Sequence, residues 1–326
     1  MNTYEQRRQR PPTLSHKLEY WSMRTLVKGL ERLDWFTACK IGERIGELGY
    51  RPLGIRRDVV EKQIAAAFPE LNTDQVHDLA RRSYRHLGRN AVEASIISGP
   101  KSPGIMNLVD RIEGWELVEE SLARGKGTLG VAAHHGSWEM LGAFLAAKGV
   151  RPVVVVRGMD NRLFEDYVNE NRSQMGLDVV HDTQGVRAIT TGLRGGRFIA
   201  LLADQGVLGL ASSFVPFFGR PAKTPKGFAV FALRFNSDAV FMDVLREPGG
   251  KFRVVFEPIE IERTGDKEKD VDAMVERYSQ ILEKWVRQYP EQYFWQHRRW
   301  RRQPAGTPVE LRDPALKDPS LWTPSR

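Results

Sequence analysis

Thr128-Leu129-Gly130-Val131-Ala132-Ala133-His134-His135-Gly136-Ser137-Trp138-Glu139 decides how the chain folds. Six small or apolar residues are enough for one buried strand, Gly136 supplies a turn, and Trp138 to Lys148 then carries its apolar residues at helical spacing. The unit is strand, turn, helix. Working outward, further apolar runs predict strands at Pro152 to Val156, Phe198 to Ala203, Ala239 to Leu245 and Phe252 to Ile259. Helical patterns fill the gaps at Arg162 to Gln174, Val186 to Arg194 and Thr224 to Phe235. Such alternation predicts an α/β fold, with a central, mostly parallel mixed sheet covered by helices.

The first hundred residues read differently. Helices are expected over Arg56 to Phe68 and Asp74 to Ser98, with Thr73 as the N-cap of the second. Ahead of them, Leu18, Trp21, Leu26, Val27, Leu30 and Leu33 recur at helical spacing, with Trp35 and Phe36 nearby. Glu19, Arg24, Lys28, Glu31, Arg32 and Asp34 interrupt them. Six charges forbid a membrane span, so the stretch reads as an amphipathic helix, lying either at a bilayer interface or on the protein's own core. Arg7, Arg8 and Arg10 precede it, and the polar start carries no apolar run of the secretory kind. A charged helix is expected from Asp266 to Gln288. The expected organisation is a helical region over 1–100, an α/β region over 101–302, and an extended tail over 303–326, where five prolines fall.

Active sites of open α/β sheets gather at the carboxyl ends of strands. His134 and Glu139 occupy one such end. On one straight helix, residues five apart point roughly 140° from each other. Contact therefore needs His134 on the strand end and the Gly136 turn folding Glu139 back. A carboxylate bonded to one imidazole nitrogen fixes the tautomer and leaves the other nitrogen to take a proton, which makes His134 a candidate base with Glu139 as its orienter. A structural strand end with Glu139 at a helix N-terminus stays open on these residues alone. Ser137 lacks the G-x-S-x-G setting of an exposed nucleophile, and no metal-ligand spacing accompanies the histidines.

A second polar strand end is Asp204-Gln205, followed by Phe214, Phe217, Phe218, Arg220 and Thr224-Pro225. Thr224 with Pro225 reads as a helix start able to receive an anion or simply be capped. The phenylalanines fit either an apolar channel or core plugs. The whole chain has 49 Lys and Arg against 41 Asp and Glu, a formal +8 that suits nucleic acid, anionic lipid or an acidic protein. The run Arg298-Arg299-Trp300-Arg301-Arg302 comes with no nucleic-acid motif and reads as a solvated or membrane-facing basic segment, so no nucleic-acid partner is expected. One cysteine, Cys39, rules out an internal disulfide framework.

Taken in order, these blocks resemble the lipid A biosynthesis acyltransferases, the lauroyl and myristoyl transferases within the lysophospholipid acyltransferase superfamily. The resemblance starts at Arg56-Arg57-Asp58-Val59-Val60 and Phe68-Pro69-Glu70-Leu71 and reaches the histidine, four residues, acid signature at His134 to Glu139. It continues through Arg157 with Asp160-Asn161, Arg172 with Gly176, Asp204-Gln205, and Val215 to Arg220 with Thr224 and Gly227. It ends on Pro290 to Trp295 and His297 to Trp300. It implies a glycerolipid acyltransferase-like fold and acyl transfer from acyl carrier protein, or from coenzyme A, to a hydroxyl of a membrane glycolipid, with no other cofactor and no metal. In that frame His134 and Glu139 are catalytic, while Arg157, Arg172, Asp204, Gln205, Arg220 and Thr224 shape the substrate site. The charged stretch Leu18 to Phe36 departs from the apolar helix usual in the family. It implies a peripheral protein on the cytoplasmic face of the bacterial inner membrane, and it leaves other lysolipid or glycolipid acceptors open. A hydrolase using His134, or a polyanion-binding protein without catalysis, are the rival classes.

Overall fold

The computed structural model describes residues 11–206, 209–316, 318 and 322–325. Arg7, Arg8 and Arg10 lie outside them. The described residues open with four helices: α1 (Leu14–Leu30), α2 (Trp35–Tyr50), α3 (Arg57–Ala67) and α4 (Thr73–Ile96). Asp34 breaks the expected single amphipathic helix in two, because its carboxylate caps α2 by accepting from the Thr37 N–H at 3.0 Å. The cap of α4 is Asn72 rather than Thr73. Asn72 and Gln75 exchange side-chain and backbone hydrogen bonds in a capping box. Helices α2 and α4 meet backbone to backbone: a Cβ on Gly46 would lie 2.0 Å from the Tyr84 carbonyl, and one on Gly88 2.2 Å from that of Gly42. Only glycines allow that approach.

Next come α5 (Ile105–Leu108), β1 (Val109–Glu113), α6 (Trp115–Ala123), β2 (Thr128–Ala132), α7 (Trp138–Ala147), β3 (Val153–Val156) and α8 (Arg162–Gln174). They are followed by β4 (Asp178–His181), α9 (Asp182–Arg194), β5 (Phe198–Leu202), β6 (Ser212–Phe217), β7 (Arg220–Pro225), α10 (Gly227–Phe235), β8 (Asp238–Arg246), β9 (Phe252–Pro258) and α11 (Lys267–Gln288). Seven strands form one sheet in the order β1-β9-β8-β2-β5-β3-β4, parallel throughout except where β8 meets β9. The α/β fold with a mostly parallel mixed sheet and a helical N-terminal region is the observed one.

Alternate residues of β8 feed the two faces of the sheet. Ala239, Phe241 and Leu245 join a core with Val60 and Ile64 of α3, Phe228 of α10 and Tyr278 of α11. Val240, Met242 and Val244 join another with Val27 and Leu30 of α1, Trp35 of α2, Ile96 of α4 and Phe144 of α7. The N-terminal helices are thus part of both cores and cannot be lifted off without exposing them.

Three elements depart from expectation. Thr224 and Pro225 end β7 instead of starting a helix, which begins at Gly227, because β6 and β7 pair as a separate antiparallel hairpin with Thr224 opposite Ser213. Residues 303–316 fold back on that hairpin rather than extending away. Gln303, Thr307, Asp313 and Ala315 are buried, and Asp313 takes an ion pair from Arg298. The short strands β1 and β4 carry too few apolar residues to show in the pattern.

Candidate active site

The site is built on the parallel register of β2 and β5. Ala132 pairs with Leu202 at the strand ends, so two residues further on His134 stands level with Asp204. Asp204 is buried, and its Oδ1 accepts from both the backbone N–H (3.1 Å) and the Nδ1–H (2.8 Å) of His134. The imidazole is half-buried, with Trp138 and Phe294 against it at ring separations of 5.3 and 6.0 Å. Burial works against an imidazolium here, but the Asp204 carboxylate outweighs it and raises the His134 pKa, with Glu139 adding to the rise. The same pairing holds Asp204 down to about 2 although burial pushes it up, with Arg299 helping. With Nδ1 protonated toward Asp204, Nε2 keeps its lone pair and has no protein partner among the described residues.

Glu139 does not bond to His134, contrary to expectation. It sits in the first turn of α7, where Arg172 of α8 reaches it with a two-pronged contact, Nη2 to Oε1 at 2.5 Å and Nε to Oε2 at 3.1 Å. A guanidinium fork matches a carboxylate better than an imidazole edge does, and the acid at the end of β5 already fills the orienting position. Arg172 and Glu139 are therefore brought together beside the histidine, and Asp204 is its hydrogen-bonded partner.

The turn between β2 and α7 is fixed from three sides. Gly136 has φ +56°, and a Cβ there would fall 2.3 Å from the Val244 carbonyl. Its own carbonyl accepts from Asn90 Nδ2 (2.7 Å) and His86 Nε2 (3.0 Å) of α4, and its N–H donates to the Gln292 carbonyl at 3.1 Å. Phe294 N–H donates to the carbonyl of His134 at 2.9 Å. Ser137 Oγ is spent on Asn90 and the buried Glu93, which Arg246 neutralises. His135 uses both nitrogens, Nδ1 on Asp243 at 2.5 Å and Nε2 on the Tyr289 carbonyl at 3.1 Å, and is fully buried. His135 is structural, and Ser137 has no free hydroxyl to act as a nucleophile.

The remaining candidates separate. Gln205 lies beside Asp204 at the partly open strand end, and Arg157 is exposed just after β3. Thr224 is enclosed; its hydroxyl accepts from Arg299 Nη2 at 2.6 Å. Arg220 faces away, donating to the carbonyls of Glu310 and Arg312 and so holding the C-terminal segment. The phenylalanines resolve as plugs for two of three: Phe217 and Phe218 are buried against Trp300 and Phe68. Arg299, read from the sequence as part of a solvated run, is buried, with Nη1 on the Lys223 carbonyl at 2.7 Å. It is a cation stored behind Asp204, and His297 beside it is pushed by burial down to about 4, hence neutral near neutral pH. The signal for Arg299 was Trp300 next to it, an aromatic too large for a solvated strip.

A half-buried histidine poised on a carboxylate at a strand end, with an arginine-clamped glutamate five residues on, is the local geometry. Across the chain, the profile of the bacterial lipid A biosynthesis acyltransferases matches residues 8–302. The chain belongs to that family. It is an acyltransferase. Similar members include the lipid A biosynthesis palmitoleoyltransferase of Escherichia coli (strain K12), 22% identical over 276 residues, covering 84% of this chain and 88% of that protein. The lauroyltransferase of the same strain is 24% identical over 279 residues, 85% of this chain and 89% of the relative. The phosphatidylinositol mannoside acyltransferase of Mycobacterium tuberculosis (strain ATCC 25618 / H37Rv) is 25% identical over 176 residues, 52% of this chain and 55% of the relative. Among the described residues, no helix of this family member is long and apolar enough to cross a membrane.

Proposed function

We propose that this chain moves a fatty acyl group from a thioester donor, acyl carrier protein or coenzyme A, to a hydroxyl of a membrane glycolipid of the lipid A precursor class. The observation that carries the reading is the His134 Nδ1 to Asp204 hydrogen bond with Nε2 left unengaged. Nε2 takes the proton of the acceptor hydroxyl, and the oxygen attacks the thioester carbonyl. The tetrahedral adduct then collapses, breaking the C–S bond, and the imidazolium returns its proton to the departing sulfur. Asp204 lowers the barrier by stabilising the imidazolium while it exists. Glu139 and Arg172 act together beside the histidine, one near the acceptor hydroxyl and the other fixing it. With Ser137 committed to the α4 network, no acyl-enzyme is required.

The seat is peripheral, on the cytoplasmic face of the inner membrane. α1 rests on the protein through Val27 and Leu30, while Leu14, Leu18 and Trp21 remain more than half exposed on its other side, a composition suited to the bilayer interface. Incubating the purified protein with an acyl carrier protein thioester and a bacterial lipid extract should give an acylated glycolipid identifiable by mass spectrometry, and His134→Ala should abolish it. Transfer that survives His134→Ala overturns the mechanism; hydrolysis without transfer overturns the acceptor.

A further inference from the structure

The two halves of α1 are held to the body differently. Its last turns are anchored in the core by Val27 and Leu30, whereas the inward residues of the first half, His16 and Tyr20, are only half-buried, and Leu14, Leu18 and Trp21 on the outer side stand in solvent. The first half leans on α8. Asn161 Nδ2 donates to the His16 carbonyl at 2.9 Å and to Glu19 Oε2 at 3.0 Å, and the Arg24 guanidinium lies 4.4 Å from the centre of the buried Tyr167 ring. Asn161 is also the N-cap of α8, its Oδ1 accepting from the Leu163 N–H at 3.1 Å, so one amide ties α1 to the start of that helix. Just past the far end of α8, Leu177 is seated against Gly142 of α7, 2.8 Å from where a Cβ would stand. Tyr167 and Arg172 lie five residues apart on α8, about 7.5 Å along its axis, and Arg172 is the fork that holds Glu139 beside His134. A helix moves as a rod. A tilt of α8 at its α1 end is therefore felt at a two-pronged contact, which tolerates little change in angle or distance.

We infer that Asn161 and Tyr167 are positioning residues of the acyl-transfer centre: through them α1 sets the tilt of α8 and with it the Arg172 grip on Glu139, so that a lipid surface covering Leu14, Leu18 and Trp21 raises turnover by completing the site. In water the contacts of the first half of α1 with α8 are few and weak, so this half opens part of the time and α8 loosens with it. Seated on a bilayer, α1 is pinned on both faces, and the state with the fork closed becomes the dominant one. The inference rests on the interfacial seat proposed above for α1 and adds to it a consequence for the reaction.

The test uses the full chain, an acyl carrier protein thioester and a short-chain glycolipid acceptor that stays in water, so that added vesicles of anionic phospholipid carry no substrate. Such vesicles should raise the kcat of the parent protein roughly threefold to tenfold, the gain expected when a competent state populated at about 10–30% becomes dominant. The acceptor KM should change less. Asn161→Asp keeps the oxygen that caps α8, loses the donor to α1 and repels Glu19; it should sediment with the vesicles as the parent does while losing most of the stimulation. Arg24→Gln should lose it likewise, and Arg24→Lys, which keeps a cation for the Tyr167 ring, should recover part of it. In Glu139→Gln the Arg172 fork has no charged partner, and vesicles should have little effect on the rate. Independently of turnover, vesicles should slow amide hydrogen exchange across Arg162–Gln174 in the parent protein and not in Asn161→Asp. Equal stimulation of the parent and Asn161→Asp, or a parent that binds vesicles with neither response, overturns the coupling and leaves acyl transfer and the interfacial seat standing. A parent that does not bind vesicles overturns the seat and the coupling together. A parent protein that transfers nothing overturns the activity, and the exchange comparison still decides the coupling.

Discussion

One oxygen of Asp204 receives two hydrogen bonds from His134, one from the ring and one from the backbone, so the acid fixes where the histidine begins as well as which way its ring turns. An amide at 204 would keep the shape and lose the charge that the imidazolium needs. Asp204→Asn should therefore lower kcat by about 10²- to 10⁴-fold with little change in fold. The pH profile gives the sign. The base works when neutral, and Asp204 raises its pKa, so activity in the parent protein declines as pH falls through that raised value. In Asp204→Asn the acid limb should move to lower pH beneath a reduced plateau. A limb that stays in place would remove Asp204 as the charge partner of His134.

Glu139 calls for the opposite pattern. Its carboxylate is held by Arg172 and only adds to the field at His134, so Glu139→Gln should cut activity by roughly tenfold to a hundredfold while shifting the acid limb less than Asp204→Asn does. Because the two side chains act as one unit, Arg172→Ala combined with Glu139→Gln should cost little more than the worse single change. Additive losses in steady-state kinetics would mean that the residues work separately.

The fold was legible because each buried parallel strand is a short apolar run and each is followed by helical spacing. Arg162–Gln174 is bounded by the same residues in sequence and structure. The site was legible to the level of which strand ends matter. What could not be read was pairing: His134 and Asp204 are seventy residues apart and meet only because β2 and β5 are neighbours, an order that local pattern does not encode. The nearest acid in sequence, Glu139, was the natural partner by spacing, and an arginine on a third element took it. Arg299 and Thr224 were misplaced for a related reason, since burial of a charge depends on what the hairpin β6–β7 covers. Tail packing through Asp313 likewise rests on one long-range ion pair, invisible among five prolines.

His135 makes a prediction about stability rather than rate. Asp243 and the Tyr289 carbonyl raise its pKa against the effect of burial, so the pair's contribution is complete below the unfolded value near 6.5 and is lost as pH climbs through the higher folded one. Asp243→Asn should destabilise the fold by about 3 kcal/mol at pH 6, as expected for breaking a buried ion pair. The gap between the two proteins should narrow toward pH 9, followed by denaturant unfolding at each pH. His134 titrates with the same sign in both, so it largely cancels from the difference. A gap that widens with pH would mean that His135 is buried uncharged.

The outer face of α1 sets the last expectation. Leu14, Leu18 and Trp21 follow one another at helical spacing on the side opposite Val27 and Leu30, and leaving them in water forgoes apolar burial worth about 1.5–3 kcal/mol for each large side chain. Seated at a bilayer, that energy is recovered. Leu18→Glu and Trp21→Glu should each weaken binding to vesicles of anionic phospholipid by roughly tenfold or more, read by co-sedimentation. Melting temperature should hardly move, since neither side chain supports the core. Transfer to a detergent-dispersed acceptor should persist, whereas transfer to vesicle-embedded acceptor should fall. Equal sedimentation of the parent and both variants would assign membrane contact to another surface, the exposed Leu48 in the last turn of α2 and Leu53 and Ile55 in the loop after it being next in line.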